Sequence, residues 1–90
     1  MSERNEDRLK KLIVTRLRLP RAPETIGDDQ ALFGKEGLGL DSIDALEMVV
    51  GMEEEFGIRI GDTEVDRAVF RSVSTLSEFV AKKVAQKVAS

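Results

Sequence analysis

The stretch "GLGLDSIDALEM", Gly37 to Met48, runs a glycine-rich loop into an apolar-periodic segment and sets one serine between two aspartates at the junction. Asp41 suits an N-cap, because a short carboxylate there accepts the backbone N–H groups that open a helix. The helix is predicted to run to about Phe56, with Gly57 as its stop. Ser42 then stands in its first turn. A catalytic serine needs a base to take its proton, and the chain contains no histidine and no cysteine. Ser42 is therefore either a helix-capping residue or a hydroxyl on which other proteins act.

The faces of this helix follow from its pitch. At about 100° per residue, with Ser42 as zero, Ala45, Met48, Val49, Met52 and Phe56 fall within about 240–340° and complete a core stripe. Leu46, Val50 and Ile43 lie at about 40, 80 and 100°, with Glu54 and Glu47 beside them at about 120 and 140°. An apolar strip among carboxylates, next to Ser42, suits docking onto a basic partner surface. Coverage of Leu46 and Val50 by neighbouring helices would leave only a solvated acidic face. Gly51 falls near 180°, where it costs about 1 kcal/mol against alanine and has no evident core duty.

Outward from this helix the pattern is also helical. Leu9, Leu12, Ile13 and Leu17 mark one face of a helix that begins near Asn5 and is ended by Pro20. Leu19 to Leu40 holds both prolines and four of the seven glycines, which predicts a long loop pinned to the core by Ala31, Leu32 and Phe33. The "GIRIG" segment alternates like a strand but has no partner, so it is expected to be loop. A last helix should start after Ser72, burying Val73, Leu76, Val80 and Val84, with Lys82, Lys83 and Lys87 favourably placed near its C-terminus. The intervening "DTEVDRAVF" predicts a short third helix with Val65, Val69 and Phe70 inward. The expected fold is all-α: a small four-helix bundle with a long loop between helices 1 and 2 and a short third helix.

Composition agrees. Ninety residues suffice for one small domain, residues 1–90. No Trp, no Tyr and four Phe, against abundant Leu, Val, Ala, Glu and Lys, favour helices over a sandwich or barrel. Without cysteine the fold cannot rest on disulfides or thiolate metal sites. The charged opening "MSERNEDRLK" is unlike a signal peptide, and no apolar run approaches membrane-spanning length, so a cytoplasmic chain without membrane insertion is expected. The net charge of −3 conceals an asymmetry: residues 1–21 carry seven bases against three acids, whereas residues 41–56 carry six acids and no base. The basic segment interleaves its charges with acids and has no aromatic platform, which argues against nucleic acid.

Other chemistries fit poorly. "DTEVD" imitates the first ligands of a calcium loop, but its sixth position is Arg67 and its twelfth Val73, where glycine and glutamate are needed. Asp41, Asp44 and Glu47 at helical spacing are more often a solvated face than a metal site. There is no glycine-rich phosphate loop and no catalytic dyad, so no intrinsic enzyme activity is expected.

The run "LGLDSIDALEMVVGMEEEFGIRI" resembles the acyl carrier proteins of fatty-acid and polyketide synthesis, whose mark is an Asp-Ser-Leu-like triplet opening an acidic second helix. The resemblance extends to the basic first helix, the long loop, the Glu-Glu-Glu-Phe ending, the isoleucine pair and a final helix after a Ser-Val turn. It implies that Ser42 receives a 4'-phosphopantetheine arm from a phosphopantetheinyl transferase, so the missing base is no obstacle. It also implies that Asp41, Ile43, Asp44, Glu47, Val50 and Glu54 are read by basic patches on the transferase and on acyl synthase or transferase enzymes, with the carrier a monomer. The arm's phosphodiester would meet a helix N-terminus, whose N–H groups and dipole favour an anion. Ile43 replaces the usual leucine and Gly61 stands where proline is common. A peptidyl carrier and an unmodified acidic interaction module are the alternatives.

Overall fold

The computed structural model describes residues 3–89 and builds its core where three helices meet. Helix α1, Asn5–Leu17, has Glu6 and Asp7 in its first turn and Arg16 in its last, signs that suit the helix dipole. Its stripe of Leu9, Leu12 and Ile13 is buried. The helix stops before Pro20 is reached. Arg18 adopts a left-handed conformation, φ 53°, and the N–H groups of Arg18 and Leu19 both donate to the Val14 carbonyl oxygen. That turn closes the helix and leaves Pro20 only to bar its continuation.

The connection to the next helix is long, as its composition predicts, and it is tied down at several points. A single 3-10 turn, Pro23–Thr25, delivers Ile26 into the core, which the sequence pattern did not single out. Leu32 is fully buried and its N–H donates to the Arg71 carbonyl, while Ala31 and Phe33 are half-buried. The chain then doubles back through 34–40. The N–H groups of Leu38 and Leu40 donate to the Leu32 carbonyl, and Gly34 and Gly39 take positive φ values of 78° and 79°. Among the described residues no strand forms; one isolated bridge pairs Phe33 with Leu40.

Helix α2, Ser42–Phe56, ends at left-handed Gly57, whose N–H returns to the Glu53 carbonyl. The "GIRIG" segment is irregular, burying Ile58 and Ile60 and exposing Arg59; the Glu53 carboxylate accepts the Ile60 N–H at 2.9 Å. Helix α1 runs antiparallel to α2. Arg8 binds Glu55 through its side chain at 3.0 Å and its carbonyl at 3.0 Å, and its guanidinium lies 4.4 Å from the Phe56 ring centre.

The short third helix is not formed as a helix. Asp62–Glu64 is a 3-10 turn, and residues 67–70 make one further turn capped by Asp66, which accepts the Val69 N–H at 2.8 Å. So few residues offer too few successive hydrogen bonds to repay nucleation of an α-helix. The inward positions are as expected: Phe70 is buried, and Val65 and Val69 pack partly against the core. Helix α3, Val73–Ala89, follows Ser72 directly. Ser72 and Thr75 exchange hydrogen bonds, the Thr75 hydroxyl accepting the Ser72 N–H at 3.0 Å and the Ser72 hydroxyl accepting the Thr75 N–H at 3.3 Å. Val73, Leu76 and Val80 are fully buried on one face. Three α-helices with 3-10 turns, rather than four helices, make up the described residues. None of these helices is long and apolar enough to cross a membrane.

Two carboxylates pin the irregular segments. Glu64 accepts the Gly61 N–H and pairs with Lys83 at 3.0 Å, which holds its carboxyl below the ordinary value of 4.5. Asp28, held by Lys10 and then by Arg4, lies below its ordinary 3.8. A depressed folded pKa adds stability that is complete above the unfolded value and is lost as pH falls through the folded one. The thermal midpoint is therefore expected to drop as pH is lowered from about 5 towards about 3, and Glu64→Gln with Asp28→Asn should flatten that acid limb. A limb as steep in the double variant would show that other groups set it.

Candidate functional site

The site is built by the turn into α2. Left-handed Gly39 and buried Leu40 bring the chain to Asp41, which stays extended (φ −126°) while Ser42 becomes the first helical residue. One Asp41 carboxylate oxygen accepts the N–H groups of Ile43 at 3.0 Å and Asp44 at 3.1 Å. Asp44 reciprocates, its carboxylate accepting the Asp41 N–H at 3.0 Å. The cap expected of Asp41 is thus half of a closed capping box, and Asp44 has a structural duty within it.

The box changes what the helix terminus can offer. Of the amides that open α2, those of Asp41, Ile43 and Asp44 are already taken, and Ala45 N–H closes the first helical bond to the Asp41 carbonyl. Only the Ser42 N–H is left for a phosphate, so the several unpaired donors expected from the sequence are not there. The Ser42 side chain itself is exposed, and among the described residues its hydroxyl takes part in no hydrogen bond. Among the described residues no base is hydrogen-bonded to it, and each neighbouring carboxylate gives one oxygen to the box. It is a hydroxyl presented to solvent, suited to being modified and unsuited to attacking anything unaided.

Two surfaces flank Ser42. Along the outer side of α2, Ile43, Leu46 and Val50 are 74%, 66% and 43% exposed, so no neighbouring helix covers the strip. The acids beside it are less available than expected. Glu47 is half-buried, and both Glu47 and Glu54 are bound by Arg16 of α1, Glu47 at 3.2 Å. Gly51, unexplained by the helical pattern, is buried where α1 crosses. A Cβ there would lie 3.1 Å from Leu12 Cδ2 and 3.2 Å from Arg16 Cγ.

On the other side an open cleft of about 670 Å³ begins at Ser42 and runs between α2 and the 65–71 segment. Phe33, Leu40, Ala45, Val65 and Phe70 give it apolar walls, and Asp41, Asp66, Arg67 and Arg71 line it with charges of both signs. The sequence identified Val65 and Phe70 as inward-facing; that they also wall a cleft depends on how the irregular segment crosses α2, which periodicity does not encode. An exposed hydroxyl at the mouth of an apolar cleft can carry a flexible group and shelter part of it.

The chain matches the family described as "Phosphopantetheine attachment site" over residues 7–81. It is 34% identical over 82 residues to the acyl carrier protein of Buchnera aphidicola subsp. Acyrthosiphon pisum (strain Tuc7), covering 91% of this chain and 95% of that one. A 44-residue stretch, 49% of this chain, is 46% identical to mitochondrial acyl carrier protein 2 of Arabidopsis thaliana and covers 33% of it. Among solved structures, holo acyl carrier protein from Nitrosomonas europaea superposes with a TM-score of 0.78 at 22% identity, covering 92% of this chain and 99% of that one. A chain from the complex of an engineered Bradyrhizobium japonicum glycine:[carrier protein] ligase with carrier protein from Agrobacterium tumefaciens and ATP gives 0.71 at 25% identity, covering 89% and 99%.

Proposed function

Since this chain belongs to the phosphopantetheine-bearing acyl carrier proteins, which are carriers and not enzymes, we propose that Ser42 is the residue that bears its arm. The exposed, unbonded hydroxyl at the first position of α2 is the observation that carries this reading. Phosphopantetheine ends in a thiol, and that thiol holds acyl groups as thioesters. The residues around Ser42 fit such a group: its hydroxyl is accessible, its N–H is unclaimed by the capping box, and an apolar cleft adjoins it. A phosphopantetheinyl transferase supplies the base that this chain lacks.

Asp41, Ile43, Asp44, Glu47, Val50 and Glu54 form the docking face for the transferase and for acyl synthase and transferase enzymes. Ile43 and Val50 provide apolar area, and the carboxylates provide attraction and register towards basic patches. The carrier acts as a monomer, its exposed apolar strip being reserved for successive enzymes. Acyl cargo is favoured over aminoacyl cargo by the cleft's apolar walls.

The reading is tested by incubating the purified chain with coenzyme A and a phosphopantetheinyl transferase. Intact mass is expected to rise by one phosphopantetheine, and digestion should place it on the peptide containing Ser42. An unchanged mass, under conditions that modify a known carrier, would leave the unmodified interaction module in its place.

A further inference from the structure

From the contacts between α1 and α2 we infer that Arg16 is a resident counter-cation of the docking face, which a partner's basic side chain must displace before it can use Glu47 and Glu54. This inference rests on the docking role proposed for α2.

Around α2, the glutamate pair stands between the exposed strip of Ile43 and Val50 and the seam where α1 crosses. Glu47 and Glu54 are two turns apart on one face, and Gly51 sits between them. The missing side chain of Gly51 makes a notch. Arg16 lies over it, with Cγ and Nε each 3.2 Å from where a Cβ would be, so one arm of its guanidinium reaches Glu47 and the other Glu54. A planar fork can bridge two carboxylates in this way; an ammonium group on a single stem cannot hold both at once in the same geometry. The helix tolerates a poor helix former at position 51 because that position seats this fork.

The pair is open to exchange. The Arg16 side chain is 31% exposed, with Glu47 at 46% and Glu54 at 63%, and ion pairs at such exposure are weak and salt-sensitive. An enzyme seated on Ile43 and Val50 approaches the same two carboxylates from the side opposite α1. Its lysine or arginine replaces an existing ion pair instead of neutralising two bare charges. Nor does α1 depend on Arg16 for its place: Leu9, Leu12 and Ile13 are buried, and Arg8 holds Glu55 independently.

The test is steady-state modification of the apo carrier by a phosphopantetheinyl transferase at low and at raised salt, comparing wild type, Arg16→Gln, Arg16→Lys and Glu47→Lys/Glu54→Lys, each checked for folding by far-ultraviolet circular dichroism. Arg16→Gln is expected to lower KM by about two- to fivefold at low salt with kcat unchanged, the gain fading as salt is raised. Arg16→Lys, which keeps the charge but loses the fork, should fall between Gln and wild type and still reports should Gln disturb the fold. The double reversal should raise KM. A KM unchanged or raised in both Arg16 variants, with the reversal still harmful, would overturn the counter-cation while sparing the docking face. A reversal without effect on KM would remove the docking face, and the inference with it.

Discussion

Ser42→Ala is expected to abolish phosphopantetheine attachment while shifting the unfolding free energy by less than about 0.5 kcal/mol. The hydroxyl is exposed and takes part in no hydrogen bond among the described residues, and alanine is a good residue for the first turn. Asp41→Ala should behave in the opposite sense. It removes an acceptor serving two amides and opens the box, for a loss of about 1 to 2 kcal/mol, while Ser42 remains available for modification. Urea midpoints and intact masses after transferase treatment separate the two. A Ser42→Ala chain that still gains the arm would move the attachment elsewhere, and one destabilised as much as Asp41→Ala would make Ser42 a structural cap.

The largest effect on stability is expected from Gly37→Ala. A Cβ at this position would lie 2.3 Å from the Ala31 carbonyl oxygen and 3.0 Å from the Leu32 carbonyl carbon, so the obstacle is backbone and no side chain can swing away. The doubled-back loop must open, and with it the bonds that the Leu38 and Leu40 N–H groups make to the Leu32 carbonyl. Leu32 is fully buried and Leu40 leads directly into Asp41, so the damage reaches both the core and the entrance to α2. A loss of about 3 kcal/mol or more is expected from strain of this kind. Gly39→Ala makes a useful comparison, because nothing lies within 4 Å of a Cβ there and only its positive φ is strained. Equal urea midpoints for Gly37→Ala and wild type would show that the loop relaxes without cost.

These two positions mark where sequence reasoning reaches and where it stops. The stripes of α1, α2 and α3 were legible because one face of each is buried against the same core, so periodicity alone reports them. Asp41 was legible because capping is local. Gly37 could be read as belonging to a loop, but its close approach to Ala31 is a contact that no spacing announces. Gly51 and Arg16 are the same case at longer range: each looks unexplained or merely charged until α1 is laid antiparallel on α2. The segment after Gly61 misled for a different reason. Its apolar residues have helical spacing, yet the 3-10 turn of Asp62–Glu64 and the Asp66-capped turn that follows satisfy its amides locally and bury Phe70 without a helix.

The capping box has a consequence for delivery. Because Asp41 and Asp44 have taken the amides that open α2, an arm rooted at Ser42 meets a single N–H and two like-charged neighbours, which gives its phosphate little reason to settle. On the attachment proposed for Ser42, the joint would work as a swivel. Its thiol would be a tethered reactant, and with a partner docked on the adjacent strip, as proposed, the tether would hold that thiol at an effective concentration on the order of millimolar around the partner's active-site mouth. Rigidity in the first turn would then fix where the search is centred, and looseness one bond further out would let it be completed.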